Sequence, residues 1–263
     1  MKKTVHEKNY EIWSGLSETY HDSRPLPPAF IVKIILSWLQ KEPDTVVDVG
    51  CGTGLSTLIW DRIAKRIVGI EPNDEMRAIA EKIACSDSIV YKRGVSNETN
   101  LPSDYTDVIT VSQAFHWMDI DSTLVEFYRI LKKNGILAIY DFALPPVIGW
   151  EIEKAFIELR TKCSEIVYSQ ETSPVHNDKN TYNDRIKSFG KFRYSREAVL
   201  HNAEKWTQEK LMDFIVNISN ADFAVKIDTA IKEDVDEFCA LIKAKCSGEI
   251  EIIFPYKAVI AVK

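Results

Sequence analysis

The stretch most able to do chemistry is Val46-Val47-Asp48-Val49-Gly50-Cys51-Gly52-Thr53-Gly54. Its β-branched start reads as a short buried strand. Three glycines follow at alternate positions, where a side chain would obstruct both a tight bend and a close-lying ligand. Leu55, Leu58, Ile59 and Ile63 then recur at helical spacing, so the glycines sit between a strand and a helix. A second apolar run, Ile67-Val68-Gly69-Ile70, ends in Glu71, 21 positions after Gly50. That is about where a nucleotide-binding βαβ unit places the carboxylate that accepts both hydroxyls of an adenosine ribose. Leu55 occupies the place where the dinucleotide spacing G-x-G-x-x-G needs its third glycine. The loop also lacks any basic residue, and no G-K-[ST] follows it. The pattern points to an adenosine ligand without phosphates.

A second group, Gln113-Ala114-Phe115-His116-Trp117-Met118-Asp119, follows the apolar run Asp107 to Ser112. Ligands of open α/β sheets bind beyond the carboxyl ends of the strands, which puts this loop on the reaction chamber. His116 has two readings: a hydrogen-bond donor or base beside an acceptor, or an imidazole that keeps the loop in shape. Trp117 reads as a wall.

The elements that must position these groups alternate strand and helix. Strands are expected at Val46–Val49, Ile67–Ile70, Ile89–Tyr91, Asp107–Ser112 and Ile136–Tyr140. Between them, a helix with Phe30, Ile31, Ile34, Ile35, Trp38 and Leu39 on one face follows Pro27-Pro28. Asn73 caps another helix carrying Met76, Ile79, Ala80 and Ile83. Asp121 or Ser122 caps a third with Leu124, Phe127, Tyr128 and Leu131, stopped at Lys132-Lys133-Asn134-Gly135. Residues 6–23 carry Tyr10, Trp13, Leu16 and Tyr20 at helical steps and break at Arg24-Pro25. From Pro145 the pattern changes. A helix bears Ile152, Phe156, Leu159 and Cys163, and polar residues 169–184 read as a mobile loop. A sixth strand spans Phe192–Asn202, helices span Thr207–Ser219 and Asp222–Lys245, and Pro255 interrupts a last strand Glu249–Val262.

The segment Asp48–Gly54, Ile70-Glu71-Pro72 and Gln113–Trp117 together resemble the class I S-adenosylmethionine-dependent methyltransferases, and within them the group that includes trans-aconitate methyltransferase. The likeness is dense over residues 10–142 and thin afterwards. It implies a Rossmann-like, doubly wound α/β fold: a seven-stranded, mostly parallel sheet with an antiparallel last strand and a helical cap inserted after strand five. The corresponding division is 1–44 for a lid and first packing helix, 45–144 for the core, 145–190 and 207–245 for the cap, and 191–206 and 249–263 for the last strands. The implied cofactor is S-adenosylmethionine, leaving as S-adenosylhomocysteine. By the same resemblance it is held by Arg24, Asp48, Gly50, Cys51, Gly52, Gly54, Glu71, Pro72, Met76, Ser96, Asn97 and Gln113. Arg24 then forks onto the methionyl carboxylate, or is a solvated charge. Met76 lies on adenine or is core. The family's adenine acid falls at Asn97, or at Glu98 if the register slips by one; an amide oxygen accepts without charge. Tyr20 and His116 are the expected catalytic side chains. The acceptor is a small molecule, foremost an acidic metabolite. The alternatives are an RNA or tRNA methyltransferase and a non-catalytic cofactor-binding protein.

Composition agrees with an ordinary globule of 263 residues, 45% hydrophobic and 27% charged. A net charge of −6 argues against a nucleic-acid partner, because neutralising phosphates needs a basic surface. Five scattered cysteines (Cys51, Cys85, Cys163, Cys239, Cys246) with no C-x-x-C pair indicate neither a metal site nor a disulfide framework. With no signal-like start and no apolar run near the roughly 20 residues that span a bilayer, the expectation is a cytoplasmic monomer or homodimer with no membrane partner.

Overall fold

The computed structural model describes residues 21–169 and 176–263; Tyr20 lies outside the described residues. Seven strands form one sheet: β1 (Thr45–Val49), β2 (Arg66–Ile70), β3 (Ile89–Lys92), β4 (Thr106–Ser112), β5 (Leu131–Phe142), β6 (Tyr194–Trp206) and β7 (Ile250–Val262). Their order is β3-β2-β1-β4-β5-β7-β6. The first five run parallel, and β7 lies antiparallel to both β5 and β6. This is the expected doubly wound sheet. The order reverses between β1 and β4, and the glycine loop and the His116 loop leave the sheet at that switch point, where open α/β sheets bind ligands.

Strand side chains alternate between two faces, and each face has its own core. Val46, Ile67, Val108 and Ile136 meet Trp60, Ile31 and Ile35 on one side. Val47, Val68, Ile109 and Leu137 meet Phe115, Leu124, Phe127 and Ile130 on the other. Enclosing such a side chain fully stabilises the fold by about 1.5–3 kcal/mol. The first face is covered by α1 (Phe30–Leu39), the short α2 (Leu55–Leu58) and α3 (Asp74–Ile83); the second by α4 (Ile120–Ile130) and α6 (Tyr182–Phe189). Helices α5 (Trp150–Tyr168), α7 (Gln208–Ile218), α8 (Ala221–Ile227) and α9 (Ile231–Lys245) pack on one another. They join the first core through Phe156, Phe214 and Phe238.

Several boundaries differ from expectation. Helix α2 stops at Leu58, and the chain tightens into i→i−3 turns around buried Trp60. Asp119, not Asp121 or Ser122, caps α4 and accepts the Ser122 N–H at 3.3 Å. Lys132–Gly135 belong to β5 and not to a helix stop, because the Lys132 ammonium is drawn 3.0 Å from buried Asp107. The expected helix 222–245 is two helices: the Asp228 carboxylate accepts the Ala230 N–H at 2.9 Å, a local bond that competes with helix continuation. Strand β6 runs to Trp206, paired along its whole length with β7. Pro255 does not interrupt β7. Its carbonyl accepts from Ala143 just past the end of β5, so its missing N–H faces a place where pairing with β5 has already ended.

The residue that ties the parallel half together is Asp48. Fully buried in β1, it accepts the hydroxyls of Ser56 (2.6 Å) and Thr57 (2.7 Å) from α2 and of Thr110 (2.8 Å) from β4. Asp48→Ala leaves three buried hydroxyls without their acceptor. The expected loss is about 2–4 kcal/mol in urea unfolding at pH 7, with Thr110→Val costing less than half as much.

Candidate functional site

The chain turns back on itself after β1. Gly50 N–H and Cys51 N–H donate to the Ile70 carbonyl at 2.8 and 3.2 Å, which docks the loop on the end of β2. Gly50 adopts φ +69°, and a Cβ there would stand 2.6 Å from the Ala114 Cβ, so two loops from neighbouring strands touch at a point only glycine leaves room for. Gly52, at φ +55°, has nothing within 4 Å of where its Cβ would be and faces an open cleft.

Glu71 closes the floor. Its Oε2 accepts the Gly52 N–H and its Oε1 the Asn73 N–H, both at 2.9 Å. Each oxygen keeps a further lone pair for a ligand hydroxyl. Burial pushes this carboxyl up to about 7, against the pull of the two N–H donors. Asn73 in turn accepts the Met76 N–H at 3.0 Å and caps α3, so Glu71, Pro72 and Met76 are set by one turn.

The cleft has a volume of about 400 Å³, within the usual range for small ligands. Arg24, Gly50, Cys51, Gly52, Glu71, Pro72, Met76, Ser96, Asn97 and Gln113 all line it, and so does Glu98. Asp48 and Gly54, expected at the ligand, do not line it. Asp48 lies behind the loop, occupied by the three hydroxyls. Gly54 faces Tyr91, whose Oη would stand 2.5 Å from an added Cβ. Ser96 is bound to Thr123 at 2.6 Å, which leaves Asn97 and Glu98 as the exposed rim. The loop is anchored by Thr99, whose N–H and hydroxyl both donate to buried Glu126. Burial pushes the Cys51 thiol well above its ordinary range, and Glu71 and Asp48 add to the effect. It stays protonated and fills space.

Residues 21–28 cross the cleft as a strap. His21 Nδ1 meets Thr53 Oγ1 at 3.0 Å, and Arg24 donates to Asn217 of α7 at 2.7 Å. Leu26 is clamped by Asn202, Glu204 and Tyr256 from β6 and β7. None of these three was visible in the sequence, since each is about 180 residues or more from its partner.

A second chamber of about 1,210 Å³ adjoins the cleft and shares Arg24, Gln113, Trp117 and Phe142 with it. His116 lines this chamber and not the cleft. Its loop is held by Phe115, fully buried against Phe127 and edge-on to Tyr182 at 4.9 Å. The expected mobile loop 169–184 is corrected from His176 onward. Asn177 bonds the carbonyls of His116 and Met118 at 2.8 Å each, Asp178 accepts the Asn180 N–H, and α6 starts at Tyr182. This brings Lys179 to Gln113 and Asp141, each at 3.2 Å. Asp141 is an acid at the exit of a parallel strand. Burial drives the His116 pKa well below its ordinary value, with Lys179, His176 and Arg24 adding to the effect, so the ring is neutral at pH 7.

Residues 47–139, from β1 into β5, match the family model described as a methyltransferase domain. Over this stretch the chain is similar to the class I S-adenosylmethionine-dependent methyltransferases. A Dictyostelium discoideum protein provisionally named a methyltransferase is 31% identical over 132 residues, 50% of this chain and 49% of its own. A Saccharomyces cerevisiae protein provisionally named an S-adenosylmethionine-dependent methyltransferase is 27% identical over 156 residues, 57% of this chain and 52% of its own. The chain thus spans about half the length of these curated relatives. A protein of Anaeromyxobacter dehalogenans provisionally assigned as a type II methyltransferase shares the fold, with a TM-score of 0.72 at 17% identity over 91% of this chain and 97% of that one. No helix among the described residues is long and apolar enough to cross a membrane.

The cleft fits an adenosyl ligand. Gly52 leaves the backbone bare toward it, and Glu71 offers two oxygens at the end of β2. Hydroxyls that donate to Glu71 favour its ionised form. Because the unliganded carboxyl titrates near 7, binding releases a proton below that pH. S-adenosylhomocysteine should therefore bind about tenfold more tightly at pH 8 than at pH 6, with the proton release visible by calorimetry in buffers of different ionisation enthalpy. Glu71→Gln is expected to abolish the pH dependence and weaken binding at pH 8.

Proposed function

We propose that this protein transfers the methyl group of S-adenosylmethionine to a small-molecule acceptor, foremost the carboxylate of an acid. The observation that supports this most directly is the large chamber joined to the cofactor cleft at Arg24, Gln113, Trp117 and Phe142. A protein that only bound the cofactor would have no use for that space. Six cationic side chains line the chamber against five carboxylates, in a chain whose overall charge is −6. The acceptor side is therefore more cationic than the rest of the molecule.

In this reading Gly50, Cys51, Gly52, Glu71, Pro72 and Met76 hold the adenosyl part, with Ser96, Asn97 or Glu98 at the base edge. Arg24 and Gln113 stand at the junction, within reach of a methionyl or acceptor carboxylate. The cofactor supplies an activated methyl whose C–S electron pair leaves with sulfur, while the acceptor oxygen brings the new pair. A carboxylate is already ionised at neutral pH, so the chain has no proton to move. Its residues then have to align the acceptor and keep water out. Neutral His116 is suited to holding the acceptor by a hydrogen bond. Asp48 and Gly54 support the loop from behind.

Turnover of methyl-labelled cofactor over panels of acids, phenols and amines tests the reading. We expect transfer to an acid, a base-labile ester as product, and kcat at saturating cofactor that stays flat from pH 6 to 9. His116→Asn should raise the acceptor KM about tenfold and change kcat far less. Methylation of a phenol or amine with every acid refused would overturn the carboxylate assignment. A salt-sensitive preference for RNA over all small acceptors would overturn the small-molecule class.

A further inference from the structure

The two ends of the acceptor chamber differ in chemistry. At the sheet end, three side chains each present a buried polar atom that has no hydrogen-bond partner among the described residues: Gln113 Nε2, His116 Nδ1 and Tyr182 Oη. Buried polar groups are ordinarily paired, and one left over calls for a ligand or an ordered water. Lys179 stands among them. Its ammonium donates to Gln113 Oε1 and to Asp141 Oδ1, both at 3.2 Å, and a third hydrogen remains for a ligand. The bond from Lys179 also settles which end of the Gln113 amide is oxygen, so the unpaired nitrogen is a donor. Asp141, 4% exposed at the end of β5, fixes the lysine. It lies 3.8 Å from His116 Nδ1, too far for a hydrogen bond.

At the cap end the wall sets apolar side chains among charged ones such as Asp222, Lys226 and Lys232. Phe223 and Ile227 stand one helical turn apart on α8, 38% and 46% exposed, and line the chamber together with Val216, Val225 and Val235. The volume of about 1,210 Å³ is roughly three times that of the cofactor cleft and exceeds the usual range for small ligands. A compact polyacid would reach the donors and leave the α8 wall uncovered.

Building on the acid-acceptor reading, we propose that the acceptor is an amphipathic acid. Its carboxylate sits on Lys179, with Gln113 Nε2, Tyr182 Oη and His116 as further partners, and its apolar body lies along Phe223 and Ile227. Lys179 is a specificity residue in this scheme: it reads the acid, and Asp141 positions it.

The test uses the full chain loaded with S-adenosylhomocysteine and three calorimetric probes: decanoate below its micelle concentration, 1-decanol and glutarate. Decanoate should bind at least tenfold more tightly than the other two. Lys179→Met should weaken decanoate at least tenfold while leaving 1-decanol and S-adenosylhomocysteine within twofold; Lys179→Arg should recover most of the loss. Tyr182→Phe, which keeps the buried ring, should weaken decanoate three- to tenfold. The double change Phe223→Ser with Ile227→Ser should weaken decanoate and spare glutarate. Glutarate binding as tightly as decanoate, or decanoate binding unchanged in both Lys179→Met and Tyr182→Phe, would overturn the proposal. Methyl transfer is read separately. Decanoate bound in the expected pattern, in a protein that methylates only phenols or amines, would overturn the methyl-acceptor assignment and leave the seat standing.

Discussion

A single buried carboxylate governs the geometry of this molecule. Asp48 gathers hydroxyls from α2 and β4 onto β1, and so fixes how the glycine loop leaves the sheet and how close the next strand's loop comes. The contact that only glycine permits, Gly50 against Ala114, follows from that spacing. A shift of either strand would close the cleft or detach its floor. The carboxylate acts from beneath the site, as a frame on which the ligand-facing backbone is hung.

The two ends of the sheet treat buried acids in opposite ways. At the amino-terminal ends of the strands, burial would raise the Asp107 pKa, yet the Lys41 and Lys132 ammoniums and the Thr45 N–H hold it below its ordinary value. At the carboxyl ends, Glu71 has only backbone donors among the described residues, and burial wins. An acid with its counter-ions in place secures a fold. One left short of partners retains hydrogen-bonding capacity that a ligand completes. His116 follows the same logic with the sign reversed: desolvation and nearby cations keep it uncharged.

The cap turns a cofactor fold into a molecule with two adjoining spaces. Helices α5, α7, α8 and α9 pack on one another, and their aromatic contact with the sheet runs through Phe142, Phe214 and Phe254. Phe142 lines both spaces, so the cap is seated on a residue that also borders the junction. The strap at residues 21–28 joins the glycine loop to α7 and β6 through His21, Arg24 and Leu26, which links the entrance of the cleft to the cap that walls the chamber.

The sequence alone determined the alternation of strands and helices, the glycine loop, Glu71 at its distance from that loop, and the exit of β4 toward His116. These are local patterns, written in side-chain periodicity and backbone sterics over about 25 residues. Helix stops and starts at Asp119 and Asp228 were harder to place, because several nearby polar groups could cap and the packed context selects one. Only the tertiary structure decided that Asp48 supports the loop from behind, that Asn202, Glu204 and Tyr256 clamp the strap, that Lys179 and Asp141 meet Gln113, and that Tyr182 lines the same chamber. Those contacts join residues tens to hundreds of positions apart. Their geometry depends on how the whole sheet closes, and no short-range spacing records it.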